Sequence, residues 1–181
     1  MHSYKKTIYR WRVRAGFIGI ILVVILSKPN WISFFSGLFV CFMGLLLRTW
    51  ASGHLRKEKD LIVSGPYQYS RNPLYLGNFI LGISVVITSY SWVVLAIFTI
   101  YFLFFYPPVI KREMEKMKAL FPEKYKIYKK KVPLFFPSLR PVRPPEKIKF
   151  SWKIYKKNRE YRALTGAAMF WLIMAVKIVL F

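Results

Sequence analysis

Residues 65–77 read Gly-Pro-Tyr-Gln-Tyr-Ser-Arg-Asn-Pro-Leu-Tyr-Leu-Gly, placing one arginine, one asparagine and three tyrosines among two prolines and two glycines. Each polar type has a use. Arg71 can fork onto a carboxylate, and Asn72 offers both a donor and an acceptor. Tyrosine faces stabilise a cation. Further along, Glu113 can hold an amino group or take a proton. The prolines forbid a continuous helix through the segment. This is the inventory of a ligand-binding turn, more specific than a plain connector needs.

The elements around the turn are apolar. The chain has 181 residues, is 55% hydrophobic and 19% aromatic, and carries a net charge of +23. A nucleic-acid-binding protein of this charge would alternate apolar and polar residues. Here the apolar residues run in long uncharged blocks, which indicates a bilayer. Residues 31–47 and 72–106 are uncharged, 15–26 form a shorter apolar run, and 163–181 contain only Lys177. The second block suits a helical hairpin turning at Thr88-Ser89-Tyr90-Ser91. The expectation is an all-α, polytopic membrane helical bundle with about five transmembrane helices.

The basic residues set its orientation. Residues 1–14 hold five Lys or Arg, residues 48–71 five more and residues 111–162 eighteen, leaving only Lys28 and Lys177 elsewhere. With the N-terminus inside, nearly all of this charge is cytoplasmic. It would attract anionic lipid headgroups, and no nucleic-acid partner is expected. Ser27-Lys28-Pro29-Asn30 offers no small-x-small cleavage site, so the first run reads as a retained anchor. Cys41 sits in an apolar span as a packing residue, without an intrachain disulfide. His2 and His54 are too few for a zinc site, and no metal is expected.

Tyr106-Pro107-Pro108 should end the membrane segment. Ile110, Met114, Met117, Phe121, Tyr125, Tyr128 and Val132 then recur at spacings of three and four, one apolar face of a cytoplasmic amphipathic helix. Pro122 interrupts it and suits the first turn of a second helix. Such a face either lies on the membrane or forms a lid over a site. The proline-rich, basic stretch 138–162 reads as a cytoplasmic linker between a core at 1–137 and an additional membrane helix at 163–181. Of the acids, Glu58, Asp60 and Glu123 read as partners for nearby lysines. Glu113 differs, because chain topology puts it on the same side as the 65–77 turn.

GPYQYSRNPLYLG, then Arg112-Glu113, then Phe121-Pro122-Glu123-Lys124-Tyr125-Lys126-Ile127-Tyr128, then Val132-Pro133 and Pro137, resembles the isoprenylcysteine carboxyl methyltransferases and their relatives, the phospholipid N-methyltransferases. The resemblance covers roughly residues 44–137. It implies an integral membrane enzyme using S-adenosylmethionine, with its active site facing the cytoplasm. Carried over by position, the cofactor-binding residues are Tyr67, Arg71, Asn72, Pro73, Tyr75, Gly77 and Glu113, with Arg71, Asn72 and Glu113 catalytic. Met114 replaces a second glutamate and Pro122 a glycine. Asn72 stands where the carboxyl methyltransferases carry histidine, which tilts the lipid-soluble acceptor from an isoprenylcysteine-type carboxylate towards a phospholipid amine. The competing classes are a membrane enone or sterol reductase using NADPH and a non-catalytic protein that binds anionic lipid.

The charge asymmetry makes a topological prediction. Reporter fusions at Ser89 and at Phe181 should both signal the side opposite the basic loops. A cytoplasmic signal at Ser89 would break the hairpin reading.

Overall fold

A computed structural model describes residues 2–56, 60–144 and 147–180. Glu58 and Glu146 lie outside these. Among the described residues the protein is all-helical: α1 (His2–Leu26), α2 (Trp31–His54), α3 (Pro73–Ser89), α4 (Trp92–Leu120), α5 (Pro122–Lys131), α6 (Trp152–Lys157) and α7 (Tyr161–Leu180), with a short 3-10 turn at Gly65–Gln68. Three helices are long and apolar enough to cross a membrane: α2, α4 and α7. The other two apolar segments, Arg14–Leu26 and Pro73–Ser89, are shorter than the roughly 20 residues a span needs. The expected five thus resolve into three full-length candidates and two shorter apolar helices. Hydropathy alone blurred the distinction, because the uncharged block at 72–106 divides unevenly between α3 and α4.

Local chemistry sets the helix ends. Asn30 and Ser33 form a reciprocal capping box at the start of α2, Asn30 Oδ1 accepting from Ser33 N at 2.9 Å and Ser33 Oγ from Asn30 N at 3.1 Å. Pro73 and Pro122 occupy the first turns of α3 and α5, where a missing N–H costs nothing. The hairpin turns at Tyr90, which adopts the left-handed conformation at φ 46°. Three lysines in the last turn of α5 face the negative end of its dipole.

Tyr106-Pro107-Pro108 does not end the helix. α4 runs on to Leu120 with both prolines inside it. Interior proline costs about 3 kcal/mol. Before the prolines the Tyr106 ring stacks on Phe102 at 4.2 Å, and after them Ile110 is buried.

The closest packing joins α2 to α3 through small residues. A Cβ on Gly37 would fall 1.9 Å from Thr88 Oγ1 and 2.7 Å from the Ser84 carbonyl oxygen. Buried Cys41 continues the same stripe, and Gly44 lies against Leu81. Small residues at such spacing let helix backbones approach in a membrane, where apolar side chains gain nothing by leaving lipid. At the same end of the bundle as Thr88, Ser33 Oγ donates to the Thr88 carbonyl at 3.1 Å, and Lys177 Nζ of α7 donates to the Val24 carbonyl of α1 at 2.6 Å. The lone charge of the last apolar segment is thereby spent capping another helix.

The apolar stripe beyond Ile110 is covered by protein. Tyr125, Tyr128 and Val132 are buried together, with Met114 and Met117, against Leu61, Val63 and Val142. The proline-rich stretch that follows is an extended strap lying along the 64–72 turn. Pro133 O accepts from Arg71 N at 3.0 Å, Ser138 N donates to Tyr69 O at 2.9 Å, and Val142 N donates to Gln68 O at 3.2 Å. Ile148 N reaches Ser64 Oγ at 3.0 Å, and Ser151 N reaches the Gly53 carbonyl at 3.0 Å. The segment carries the main chain of the turn as a neighbouring strand would, so it does not run free as a linker.

The Gly37 contact makes a prediction about stability. Gly37→Ala places a methyl group against the α3 backbone, and overpacking of this kind costs about 1–3 kcal/mol. Thermal unfolding in detergent should begin at clearly lower temperature for Gly37→Ala. Gly19→Ala is the comparison, since nothing lies within 4 Å of a Cβ there.

Candidate functional site

The site is assembled from the turn upward. Gly65 takes φ +61°, with the buried His54 ring 2.7 Å from where its Cβ would stand. His54 Nδ1 lies 2.9 Å from the Trp50 carbonyl, so this histidine packs and orders the turn. The turn then delivers Tyr67, Arg71 and Asn72 in sequence, and Pro73 starts α3 at once. Tyr75 follows on the first turn of that helix, where it meets α4: its hydroxyl donates to Glu113 Oε1 at 2.8 Å.

These residues open onto one cavity of about 460 Å³ at the basic end of the bundle. Tyr67, Arg71, Asn72, Pro73, Tyr75 and Glu113 all line it. Gly77 does not. A Cβ there would lie 2.4 Å from Arg48 Cγ, so Gly77 is the gap through which Arg48 crosses from α2 to α3. Arg48 Nε pairs with Glu160 Oε1 at 2.5 Å, and Arg48 Nη1 donates to Asn78 Oδ1. All three line the cavity. Inspection of the turn misses them. The signal available was Arg48 as the first charge after a long uncharged run, and Glu160 as one of only seven acids in a strongly basic chain.

Arg71 sits among aromatic hydroxyls. Its Nη1 donates to Tyr125 Oη at 3.2 Å, while Nε is buried with no partner among the described residues. Such an orphaned donor is costly unless a ligand satisfies it. Asn72 is buried, and its Nδ2 donates to the Leu134 carbonyl at 2.9 Å, which commits the donor half of its side chain to the strap. Asp60, read as a partner for lysines, lines the cavity, as does Arg56. The Tyr75 ring meets Tyr106 edge-on at 5.7 Å, and Phe102 and Phe135 continue the aromatic seam between α3 and α4.

Two tyrosines of the floor are held neutral. Burial raises Tyr67 well above the ordinary tyrosine range, and nearby Tyr128 and Glu113 push the same way. Burial also raises Tyr128, against an opposing pull from Arg71, and its hydroxyl donates to the Tyr67 carbonyl at 2.7 Å.

A helical membrane protein with a charged, aromatic-lined cavity at the basic end of its bundle is the class these features define. The chain belongs to the phospholipid methyltransferase family, which it matches over residues 18–124. It is 32% identical over 136 residues to the nickel-cobalt-cadmium resistance protein NccN of Alcaligenes xylosoxydans xylosoxydans, covering 71% of this chain and 63% of that one. It is 36% identical over 96 residues to the cobalt-zinc-cadmium resistance protein CzcN of Cupriavidus metallidurans, covering 51% of this chain and 43% of that one. The chain thus spans less than two thirds of the length of either relative. No solved structure matches it.

The raised tyrosines make a prediction about pH. Their folded pKa values lie above the free value of about 10, so folding holds protons that the unfolded chain would release. Their contribution to stability is complete below about pH 10 and is lost as pH rises towards the folded values. In an absorbance titration in detergent, Tyr67 and Tyr128 should ionise only with unfolding, after the exposed tyrosines. Tyr128→Phe should remove one late-titrating group and about 0.5–1.5 kcal/mol of stability.

Proposed function

We propose that this protein transfers a methyl group from S-adenosylmethionine to a lipid-soluble acceptor, at a site opening to the cytoplasm. The observation that carries the reading is the convergence of Arg71, Tyr75 and Glu113 on one cavity within a chain of this family. The cavity falls in the size range that takes a single drug-sized ligand. A nicotinamide dinucleotide, nearly twice the mass of S-adenosylmethionine, would be poorly accommodated.

The residues fit the cofactor. The orphaned Arg71 Nε suits a carboxylate, Glu113 suits an ammonium group, and the tyrosine rings suit a sulfonium. When bound, the cofactor supplies an electrophilic methyl group. The protein's contribution is alignment and exclusion of water. Tyr75 Oη fixes the Glu113 carboxylate by donating to it. Tyr67 and Tyr128, neutral at physiological pH, add no negative charge that would compete with Glu113. If the acceptor is an amine, Glu113 is the group placed to take its proton. A carboxylate acceptor needs no base. Asn72, with its donor tied to the strap, acts by holding the turn, and Pro73 sets the start of α3.

The relatives' names bear on the acceptor. A neutral amine on a membrane headgroup is a nitrogen ligand for cations such as nickel, cobalt and zinc. Complete methylation removes its lone pair, so methylating such amines would strip metal ligands from the leaflet. This favours the amine over the isoprenylcysteine carboxylate.

Two measurements test the proposal. Arg71→Ala should weaken S-adenosylmethionine binding about ten- to a hundredfold, with Glu113→Ala at the lower end because it is more exposed. Arg140→Ala, on the exposed face of the strap, is the neutral control. Wild-type affinity in both variants would reject the site. In single-turnover transfer of tritiated methyl, phosphatidylethanolamine should give a rate rising from about pH 6 to 8, whereas a prenylcysteine carboxylate would give a flat profile.

A further inference from the structure

Glu160 comes from a part of the chain that lies beyond the family match, which ends at residue 124. It nevertheless forms part of the cavity wall. The turn between α6 and α7 is clamped to the end of α2: Asn158 Nδ2 donates to the Ser52 and Leu55 carbonyls, each at 3.0 Å. Arg159 then takes a left-handed φ of 56°, a conformation that costs a non-glycine residue about 1 kcal/mol or more. The outcome of this backbone detour is Glu160, 9% exposed, with Oε1 on Arg48 Nε.

Arg48 is fixed from two sides. Glu160 takes Nε, Asn78 takes Nη1, and the bare Gly77 leaves room for its stem. Nη2 makes no hydrogen bond among the described residues, and the side chain lines the cavity. A guanidinium so held is pre-aimed, because two of its nitrogens cannot swing without breaking a charged contact.

We propose that Arg48 is an anion-binding residue of the cavity, offering Nη2 to a carboxylate or phosphate of a bound ligand, and that Glu160 of the C-terminal segment is the positioning residue that aims it. The inference rests on the methyltransferase reading. The anionic group has two possible sources, the carboxylate of the cofactor and the phosphate of a phospholipid acceptor. The α6–α7 segment is in either case part of the ligand-binding unit.

The test uses the full chain in lipid nanodiscs. Two variants are compared with wild type: Glu160→Gln, and the double variant Arg48→Met/Glu160→Gln, which leaves no buried charge unpaired. Binding of S-adenosylhomocysteine is measured by calorimetry, and KM and kcat are measured for phosphatidylethanolamine. If the cofactor carboxylate is bound, the double variant should lose affinity for S-adenosylhomocysteine roughly ten- to a hundredfold with acceptor KM unchanged. If the phosphate is bound, the KM should rise by that factor with cofactor affinity unchanged. Glu160→Gln should move the same quantity in the same direction by less. Unchanged affinity and unchanged KM in the double variant would overturn the inference while leaving the methyltransferase reading intact. A wild-type protein that binds no S-adenosylhomocysteine would overturn both.

Discussion

The approach of α2 to α3 is the constraint on which the rest depends. Neither helix could lie so near the other with a side chain at Gly37, and one at Gly77 would displace the Arg48 stem. Lipid offers no hydrophobic reward for bringing apolar helices together, so the contact rests on shape and on a few hydrogen bonds. Once it is made, Arg48 can pass over Gly77 to Asn78, and the chain leaving α2 at His54 is brought close to the start of α3. The turn at 65–72 is the short path between those fixed ends. A looser helix pair would carry Arg48 away from Asn78 and would leave the turn with no defined geometry.

The turn itself is held by main-chain contacts more than by a core. The strap donates to or accepts from residues 64, 68, 69, 70, 71 and 72, largely through backbone atoms. Each such bond contributes only about 0.5–1.5 kcal/mol. Together they fix the backbone whose side chains line the cavity, as second-layer contacts must if reactive groups are to be held within fractions of an ångström. Beneath them, Tyr125 and Tyr128 bury their rings and spend their hydroxyls on Arg71 and on the Tyr67 carbonyl. The same two residues therefore close the floor and orient the polar wall.

Much of this was legible in the sequence, and the misses are instructive. Uncharged runs bounded by basic residues indicated the membrane helices, and the Thr88–Ser91 region was recognisable as a turn because polar residues interrupt an apolar block. Tyr67, Arg71, Tyr75 and Glu113 were visible as a set because residue types that rarely serve packing stood close together, or on the same side of the chain. Gly77 carried the same pattern, yet its partner is an arginine stem, which no local spacing reveals. The pairing of Arg48 with Glu160 spans 112 positions and depends on how α6 and α7 return to α2. The strap escaped because extended, proline-rich backbone has no period to detect. Three of the five expected spans are full-length helices and two are shorter apolar ones, because hydropathy measures apolar content whereas the helix boundaries depend on Pro73 and Tyr90.

The strap has a consequence for how the protein is made. Its bonds to the turn join residues 62, 65 and 84 positions apart. Synthesis runs from the N-terminus, so α1 to α4 have all been translated before the residues that close the turn exist. Assembly of the cavity thus waits for a long loop to close and for α6 to dock. During that interval the nascent chain holds Arg48 near the membrane without the acid that will neutralise it. Glu160, which completes the polar wall, follows α1 to α6 in the order of synthesis, and a chain cut short before it would hold Arg48 without its partner.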